Sequence, residues 1–236
     1  MADWITIPQR LARLAKDPEI GVFGASGNSG HFFLSKRHTS GEVERLEQKL
    51  GVRLPEDYRQ FLLEVGSGAG PYYGLFSPAQ ILDWIECPLE EGIGRPDAAL
   101  PFGFGRFDAE EIRKRPVDKT VEPALKMKWP CNGCIPICHH GCTFWSVLVT
   151  AGECEGSVWD VACYVSEDGL WQPAKRPPGI LQRSDLPCPP TFFQWYEGWL
   201  ENIEVRFLPE HIAGRVVSGS FYSFVRRVFS RIHSSR

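Results

Sequence analysis

The chain has 236 residues, of which 23% are charged and 43% hydrophobic, and this composition is ordinary for a soluble globular protein. The net charge of −3 is unevenly distributed, because residues 205–236 carry +5 and residues 1–204 carry −8. The acidic body has no recognisable nucleic-acid-binding motif, so nucleic acid is excluded as the expected partner. No stretch approaches the ~20 apolar residues that a spanning helix needs, so stable membrane insertion is not expected either.

The N-terminal sequence predicts a short helix over residues 6–16. A secretory signal would begin with cationic residues followed by an apolar run, and this pattern is not present. Thr6 is in position to cap this helix. Three apolar side chains share one face of it: Ile7, Leu11 and Leu14. Without a signal peptide, the eight cysteines are expected to be reduced thiols, and the protein is expected to be cytoplasmic.

Residues 42–66 predict two consecutive amphipathic helices. The first has Val43, Leu46 and Leu50 on one face and ends at Gly51. Pro55 suits the first position of the second helix, because its missing N–H would have no partner there. The second helix repeats apolar side chains at i, i+3, i+4 and i+7: Tyr58, Phe61, Leu62 and Val65.

Two segments of this block carry a family resemblance. LGVRLPEDYRQFL (50–62), followed by the glycine-rich GSGAGPYYGL (66–75), resembles the SUKH superfamily, which includes bacterial immunity proteins and a fungal cell-wall synthesis regulator. IPI (135–137) and GSVWD (156–160) are similar to the second half of the SUKH pattern. The resemblance covers residues 21–205 and leaves 1–20 as an N-terminal helical extension and 206–236 as a basic amphipathic tail.

An acidic loop follows the next predicted helix. Ser77-Pro78 begins that helix, Ile81, Leu82 and Ile85 form its apolar side, and Trp84 lies beside them. The loop is interpreted first as a solvated loop, and a partner-contact surface is the alternative from which the contact candidates are taken. The candidate contact residues are the loop carboxylates and two tyrosines of the glycine-rich turn: Glu86, Glu90, Glu91, Asp97, Tyr72 and Tyr73.

In the middle of the chain, a segment without a clear secondary-structure pattern precedes a series of predicted strands. Phe102, Phe104 and Phe107 alternate with small and polar residues and indicate a short strand, and residues 108–119 indicate a solvated charge cluster. Residues 135–137, 143–152 and 157–165 predict strands, with a turn at 152–156. In the last of these strands, Asp160 indicates a wetter face. Asp168-Gly169 is typical of a hairpin turn.

The C-terminal part predicts two more helices. The helix over 191–203 is amphipathic, with Phe192, Trp195, Trp199 and Ile203 on one side, and is expected to cover one face of the sheet. The tail has the form of a basic amphipathic helix. It is expected to dock on the acidic body or to be a loosely ordered end, with peripheral contact with a membrane surface as the alternative.

Residues 131–142, CNGCIPICHHGC, invite two chemical hypotheses. The Cys131–Cys134 pair with Cys138, His139, His140 and Cys142 suggests structural zinc, but the spacing is shorter than is usual for such sites. A nucleophilic Cys142 with a nearby histidine and Asp160 lacks any sign of a base–orienter pair. We therefore predict no metal, no cofactor and no catalytic residues.

The predicted fold is α+β, a mostly antiparallel sheet packed by helices. The resemblance implies a non-enzymatic binding protein, first of all an immunity protein that neutralises a cognate protein toxin. A regulatory scaffold of the same fold and a small zinc-bearing protein are the alternatives. The sequence leaves the oligomeric state open.

Overall fold

The computed structural model confirms the α+β fold and describes residues 4–15, 37–71, 73–86, 96–114, 125–128, 131–141, 144–162, 168–174 and 189–207. The helices in these residues are α1 (Ile7–Leu14), α2 (Ser40–Leu50), α3 (Glu56–Glu64), α4 (Pro78–Glu86), α5 (Arg106–Lys114) and α6 (Phe192–Phe207). The strands are β1 (Leu125–Lys128), β2 (Cys134–Gly141), β3 (Phe144–Val149), β4 (Val158–Ala162) and β5 (Asp168–Pro173).

The strands form one five-stranded antiparallel sheet in the order β1-β5-β4-β3-β2. Strands β2 to β5 are a meander, and β1 joins it beside β5. The glycine-rich turn after α3 runs along the outer edge of β2, where Phe76 N donates to Ile137 O (2.9 Å) and Leu75 bridges to Cys138. Part of this edge strand is therefore already paired with the protein's own backbone.

The helix pair α2–α3 forms as its periodicity predicts. Thr39 and Glu42 make a reciprocal capping box at the start of α2, with Glu42 N donating to Thr39 Oγ1 (3.2 Å). Gly51 ends α2 in the left-handed region at φ +69°, where glycine carries no Cβ penalty. The predicted apolar side chains of both helices are buried: Val43, Leu46, Leu50, Tyr58, Phe61, Leu62 and Val65.

Helix α1 packs into the same core as α3 and α6. Ile7, Leu11 and Leu14 are buried as predicted. The predicted cap was wrong, because Thr6 has a near-helical backbone (φ −81°, ψ −21°) and its side chain makes no capping hydrogen bond. Trp4 instead anchors the N-terminal segment, with its ring 5.4 Å from Phe61.

The sheet has a buried core on each face. We call the first the helix-covered face, where Ile135, Leu148 and Val158 pack in one cluster with residues of α1 to α4 and α6. We call the second the opposite face, where Val147, Val149 and Trp159 pack with α5 and the Phe102–Phe104 loop. The predicted helix over 191–203 is confirmed as α6, and Phe192, Trp195 and Trp199 are buried against the helix-covered face.

The segment before β1 was predicted wrongly. Residues 102–105 form no strand, and residues 108–114 of the predicted charge cluster belong to helix α5, whereas 115–119 lie outside the described residues. Asp108 Oδ2 accepts from Gly105 N (2.8 Å) at the start of α5, and Ala109 and Ile112 are buried one turn apart. A charged amphipathic helix of which two described positions are buried resembles a solvated segment when its packing partner is unknown.

Two details of the sheet also differ from the prediction. Residues on both faces of β4 are buried, including Val158, Trp159 and Val161, because each face of the sheet has its own core. Asp168 and Gly169 lie inside β5, paired with Lys128 and Met127, rather than in a hairpin turn. The tail beyond residue 207 lies outside the described residues.

Candidate partner-binding surface

Five aromatic side chains form a continuous row where the glycine-rich turn and α4 meet β2 and β3. We call this row the aromatic surface: Tyr73, Phe76, Trp84, His139 and Trp145. Ring centroids are 5.8 Å apart for Tyr73–His139, 4.3 Å for His139–Trp145, and 6.0 Å from Trp145 to both Trp84 and Phe76. None of the five is fully buried, and Tyr73 is 53% exposed. The row is therefore supported by ring contacts from within and accessible from outside.

The glycine-rich turn holds Tyr73 in place. Tyr73 N donates to His139 O (3.3 Å), and Gly74 N donates to Pro71 O (2.8 Å). Gly74 has φ +88°, a conformation that disfavours any residue with a Cβ. The ring of Tyr73 consequently stacks on His139, and hydrogen bonds hold the backbone of Tyr73 in place.

Strand register brings His139 and Trp145 together. They are cross-strand partners in β2 and β3, next to an irregularity in the pairing between His139 and Gly141. Aromatic cross-strand pairs stabilise a sheet, and such irregularities often redirect side chains at sheet edges. Local sequence pattern contains no information on this register, and so the sequence did not identify these two residues as surface partners.

A buried polar network lies beside this pair, on the helix-covered face. The Ser146 hydroxyl donates to Asp160 Oδ1 (2.6 Å), and His140 Nε2 lies 2.6 Å from the same Ser146 oxygen. Because the hydroxyl hydrogen points to Asp160, the assigned tautomer of His140 carries its proton on Nε2 and donates to Ser146. Asp160 does lie on a strand neighbouring this histidine's hairpin, as predicted, but Cys142 is outside the described residues.

The order of this network differs from that of a hydrolytic triad. In a triad the histidine lies between the nucleophile and the acid, whereas here the fully buried Ser146 hydroxyl lies between His140 and Asp160. Asp160 Oδ1, 3.7 Å from Nε2, favours a protonated ring, but burial dominates and, with a smaller effect of His139, lowers the pKa of His140 to about 4. With His140 neutral, this network satisfies the polar atoms of Ser146 and Asp160.

The predicted contact residues do not all come together. Tyr73 belongs to the aromatic surface, whereas Tyr72, Glu90 and Glu91 lie outside the described residues. Glu86 is exposed at the end of α4 and pairs with Lys49 of α2 (3.3 Å). Glu86 is two positions after Trp84 in the helix, so their side chains leave it in different directions.

Asp97 lies at the other end of β2. Its N–H donates to Asn132 Oδ1 (2.8 Å), its carbonyl accepts from Gly133 N (2.9 Å), and its carboxylate accepts from Ala99 N (2.9 Å). Gly133 precedes β2, and Tyr73 contacts β2 six residues later, which corresponds to about 20 Å of strand. Asp97 is thus bound into a turn far from Tyr73.

The described part of the cysteine–histidine segment does not converge on one point. Cys131 and Cys134 have their sulfur atoms 3.5 Å apart, but Cys138 packs in the core of the helix-covered face and donates to Pro71 O (3.1 Å). The described residues contain no group of three or more His, Cys, Asp or Glu side chains placed to hold a metal ion. Cys142 lies outside them.

A family model described as the SMI1 / KNR4 family (SUKH-1) matches residues 37–174, which is more than half of the 236 residues. The searches of curated proteins and of solved structures found no match. No helix in the described ranges has the length and apolar character needed to cross a membrane. Residues 4–15 and 189–207 lie outside the matched range, yet they pack in the same core.

Proposed function

The chain belongs to the SMI1/KNR4 family (SUKH-1), and on that premise we propose that it is an immunity protein, which neutralises a cognate protein toxin by direct binding in the cytoplasm. Membership of this family is consistent with immunity and with regulatory roles, and the family is generally non-catalytic. Both roles require a surface that binds another macromolecule.

The aromatic surface is the observation that carries this proposal. Tryptophan and tyrosine are enriched among the residues that dominate the binding energy of protein interfaces. Trp84, Trp145 and Tyr73 are partly exposed and in ring contact through His139 and Trp145. Strands β2 and β3 and the hydrogen-bonded glycine-rich turn hold the row in place, so its side chains would lose little conformational entropy on binding.

Electrostatics would act mainly on the rate of association. Residues 1–204 carry −8, and a toxin that acts on nucleic acid presents a basic surface. We propose that Tyr73, with its neighbour Tyr72, lies at the contact centre, and that Glu86, Glu90, Glu91 and Asp97 contribute to long-range attraction. The mechanism is occlusion of the toxin, with no covalent step.

We retain the proposed organisation into an N-terminal extension (1–20), a family domain (21–205) and a basic tail (206–236). In the described part, α1 of the extension shares the core of the domain. We therefore propose that the extension folds onto the domain as one unit with it. The tail is proposed to dock on the acidic body, with peripheral membrane contact as the alternative.

The function is tested by co-expressing the full chain with the polypeptide encoded immediately upstream of its gene and measuring growth and binding. We expect the wild-type chain to restore growth and to bind that polypeptide. Replacing Tyr73 with alanine should weaken binding by about 30-fold, equivalent to about 2 kcal/mol, with unchanged thermal stability.

Phe107→Ala is the matched control, because Phe107 is an even more exposed aromatic residue (72%) on α5. It should leave binding within about twofold of the wild type, as is usual for residues outside an interface. Equal losses in the two variants would reject the aromatic surface as the contact centre. Binding without growth protection would reject toxin neutralisation and favour the regulatory role.

A further inference from the structure

Cys131 and Cys134 bring two thiols together in the turn that leads into β2. Their sulfur atoms are 3.5 Å apart, and the two residues enclose only Asn132 and Gly133. Cys131 is partly exposed, whereas Cys134 is 5% exposed. The pair thus combines one partly exposed cysteine, which packs against the core of the opposite face, with a second that is in contact with it and buried.

Long-range backbone contacts hold the turn in this shape. Gly133 N donates to Asp97 O (2.9 Å), and Thr150 N donates to Gly133 O (2.8 Å). Gly133 has φ +73°, and a Cβ there would collide with the backbone of Phe102. The closeness of the two thiols therefore does not depend on a flexible loop.

Among the cysteines that the structure describes, Cys131 alone is not buried. Cys138 lies on the helix-covered face, and its thiol donates to Pro71 O (3.1 Å). Cys154 is 3% exposed. Among these described cysteines, a small reagent in solution therefore meets Cys131 first, and Cys134 has the sulfur in contact with it.

We propose that Cys131 and Cys134 are a dithiol site that small organic disulfides of the glutathione class oxidise reversibly to an intramolecular disulfide. The Cys131 thiolate attacks one sulfur of the small disulfide, breaks its S–S bond and releases one small thiol. Cys134 then loses its proton and attacks Cys131 Sγ, which breaks the mixed disulfide and releases the second small thiol. The protein loses two hydrogen atoms, and one small disulfide becomes two thiols.

The environment of each sulfur agrees with this order. The hydrogen bond with Cys131, together with burial, raises the pKa of Cys134 well above its ordinary value, so this residue is a poor first nucleophile. Contact with Cys131 compensates in the second step, because intramolecular attack has a high effective concentration. This inference does not depend on the binding function proposed above.

The test uses the full reduced chain in glutathione buffers of increasing oxidised fraction. After acid quenching and alkylation, peptide mapping by tandem mass spectrometry locates every disulfide. We expect a Cys131–Cys134 disulfide, with loss of two hydrogen atoms, that forms before any other and is reversed by excess reduced glutathione. A first-formed disulfide that joins Cys131 to another cysteine, or a stable glutathione adduct on Cys131 in the wild type, would overturn the proposal.

Three variants sharpen the result. Cys134→Ser should accumulate the glutathione adduct on Cys131, and Cys131→Ser should slow oxidation of Cys134 at least tenfold. Cys154→Ser, which alters a buried thiol of the same core, should leave the Cys131–Cys134 disulfide unchanged. Rapid oxidation of Cys134 in Cys131→Ser would contradict the assigned order, and the wild-type map remains decisive if any variant fails to fold.

Discussion

The two faces of the sheet are both buried, but different parts of the chain cover them. On the helix-covered face, helices from both ends of the chain meet in an aromatic cluster, in which Phe61 lies 5.1 Å from Phe192 and 4.7 Å from Tyr196. On the opposite face, the cover that the described residues provide is one helix and a loop, with Phe102 and Phe104 5.4 and 5.6 Å from Trp159. A sheet covered on both faces needs apolar residues on both sides of its strands. The alternation of buried apolar and exposed polar residues along each strand is therefore lost.

The largest expected effect tests whether the two faces form one cooperative unit. Phe61→Ala and Trp159→Ala each remove a buried aromatic side chain, one from each face, and should each lower the free energy of unfolding by about 3–5 kcal/mol. Urea denaturation followed by circular dichroism should show a single transition in both variants.

Phe107→Ala serves again as the control, since loss of this exposed ring should change stability by less than about 0.5 kcal/mol. A second transition in Trp159→Ala alone would show that the opposite face unfolds separately. The protein would then consist of two units that unfold separately rather than one cooperative unit.

A smaller effect on stability is expected from the polar network on the helix-covered face, through the protonation of His140. The pKa of His140 is about 4 in the folded protein and 6.5 in the unfolded chain, so the unfolded chain binds more protons between these values. Stability is therefore present above pH 6.5 and is lost as pH falls, by about 2 kcal/mol at pH 5.

Urea titrations at pH 7 and pH 5 measure this loss, and His140→Asn should reduce it. His38 shifts in the same direction, because burial lowers its pKa despite the nearby Glu42, so part of the loss should remain. The same pH dependence in wild type and variant would mean that His140 is not the group responsible.

The smallest of these effects concerns the docking of α1 on α6. Burial lowers the pKa of Arg10, but its hydrogen bonds with Glu204 (2.7 Å) and Glu197 (2.6 Å) outweigh burial and raise the pKa overall. The pKa of Glu197 is also raised, because burial outweighs Arg10, and its Oε2 is buried without a hydrogen-bond partner in the described structure. The distances show an ion pair, and Glu197 is the partner whose charged form is disfavoured by burial.

Arg10→Ala should cost about 1–2 kcal/mol, between the values for exposed and buried ion pairs. Arg13→Ala is matched to it, because Arg13 contacts Glu204 (2.6 Å) but its side chain is 59% exposed, and it should cost less than about 0.5 kcal/mol. Differential scanning fluorimetry compares the two. Equal shifts in melting temperature would contradict a specific role of Arg10 in joining α1 to α6.

The candidate surface was only partly predictable. Tyr73 was identified because a tyrosine in a glycine-rich turn is expected to be exposed. Trp84 lies beside the apolar stripe of its helix, and this position indicates a partly exposed aromatic ring but not which rings it contacts. His139 and Trp145 lie in apparently buried strands, and only their pairing places them next to Tyr73. Asp97 was predicted to be a contact residue, but its carboxylate accepts from Ala99 N within the same turn, and residues more than thirty positions away hold its backbone.

The sequence by itself determined the described helices other than α5, several of their ends and the family pattern of residues 50–75. These features follow from hydrogen bonds and side-chain spacing within a few residues, as in the Val43, Leu46 and Leu50 stripe and the Gly51 stop. Only the tertiary structure decided that both faces of the sheet are covered, that Asp168-Gly169 belongs to a strand, and which aromatic rings meet. Strand register and layer packing join residues distant in the chain, and local periodicity is the same for many such pairings.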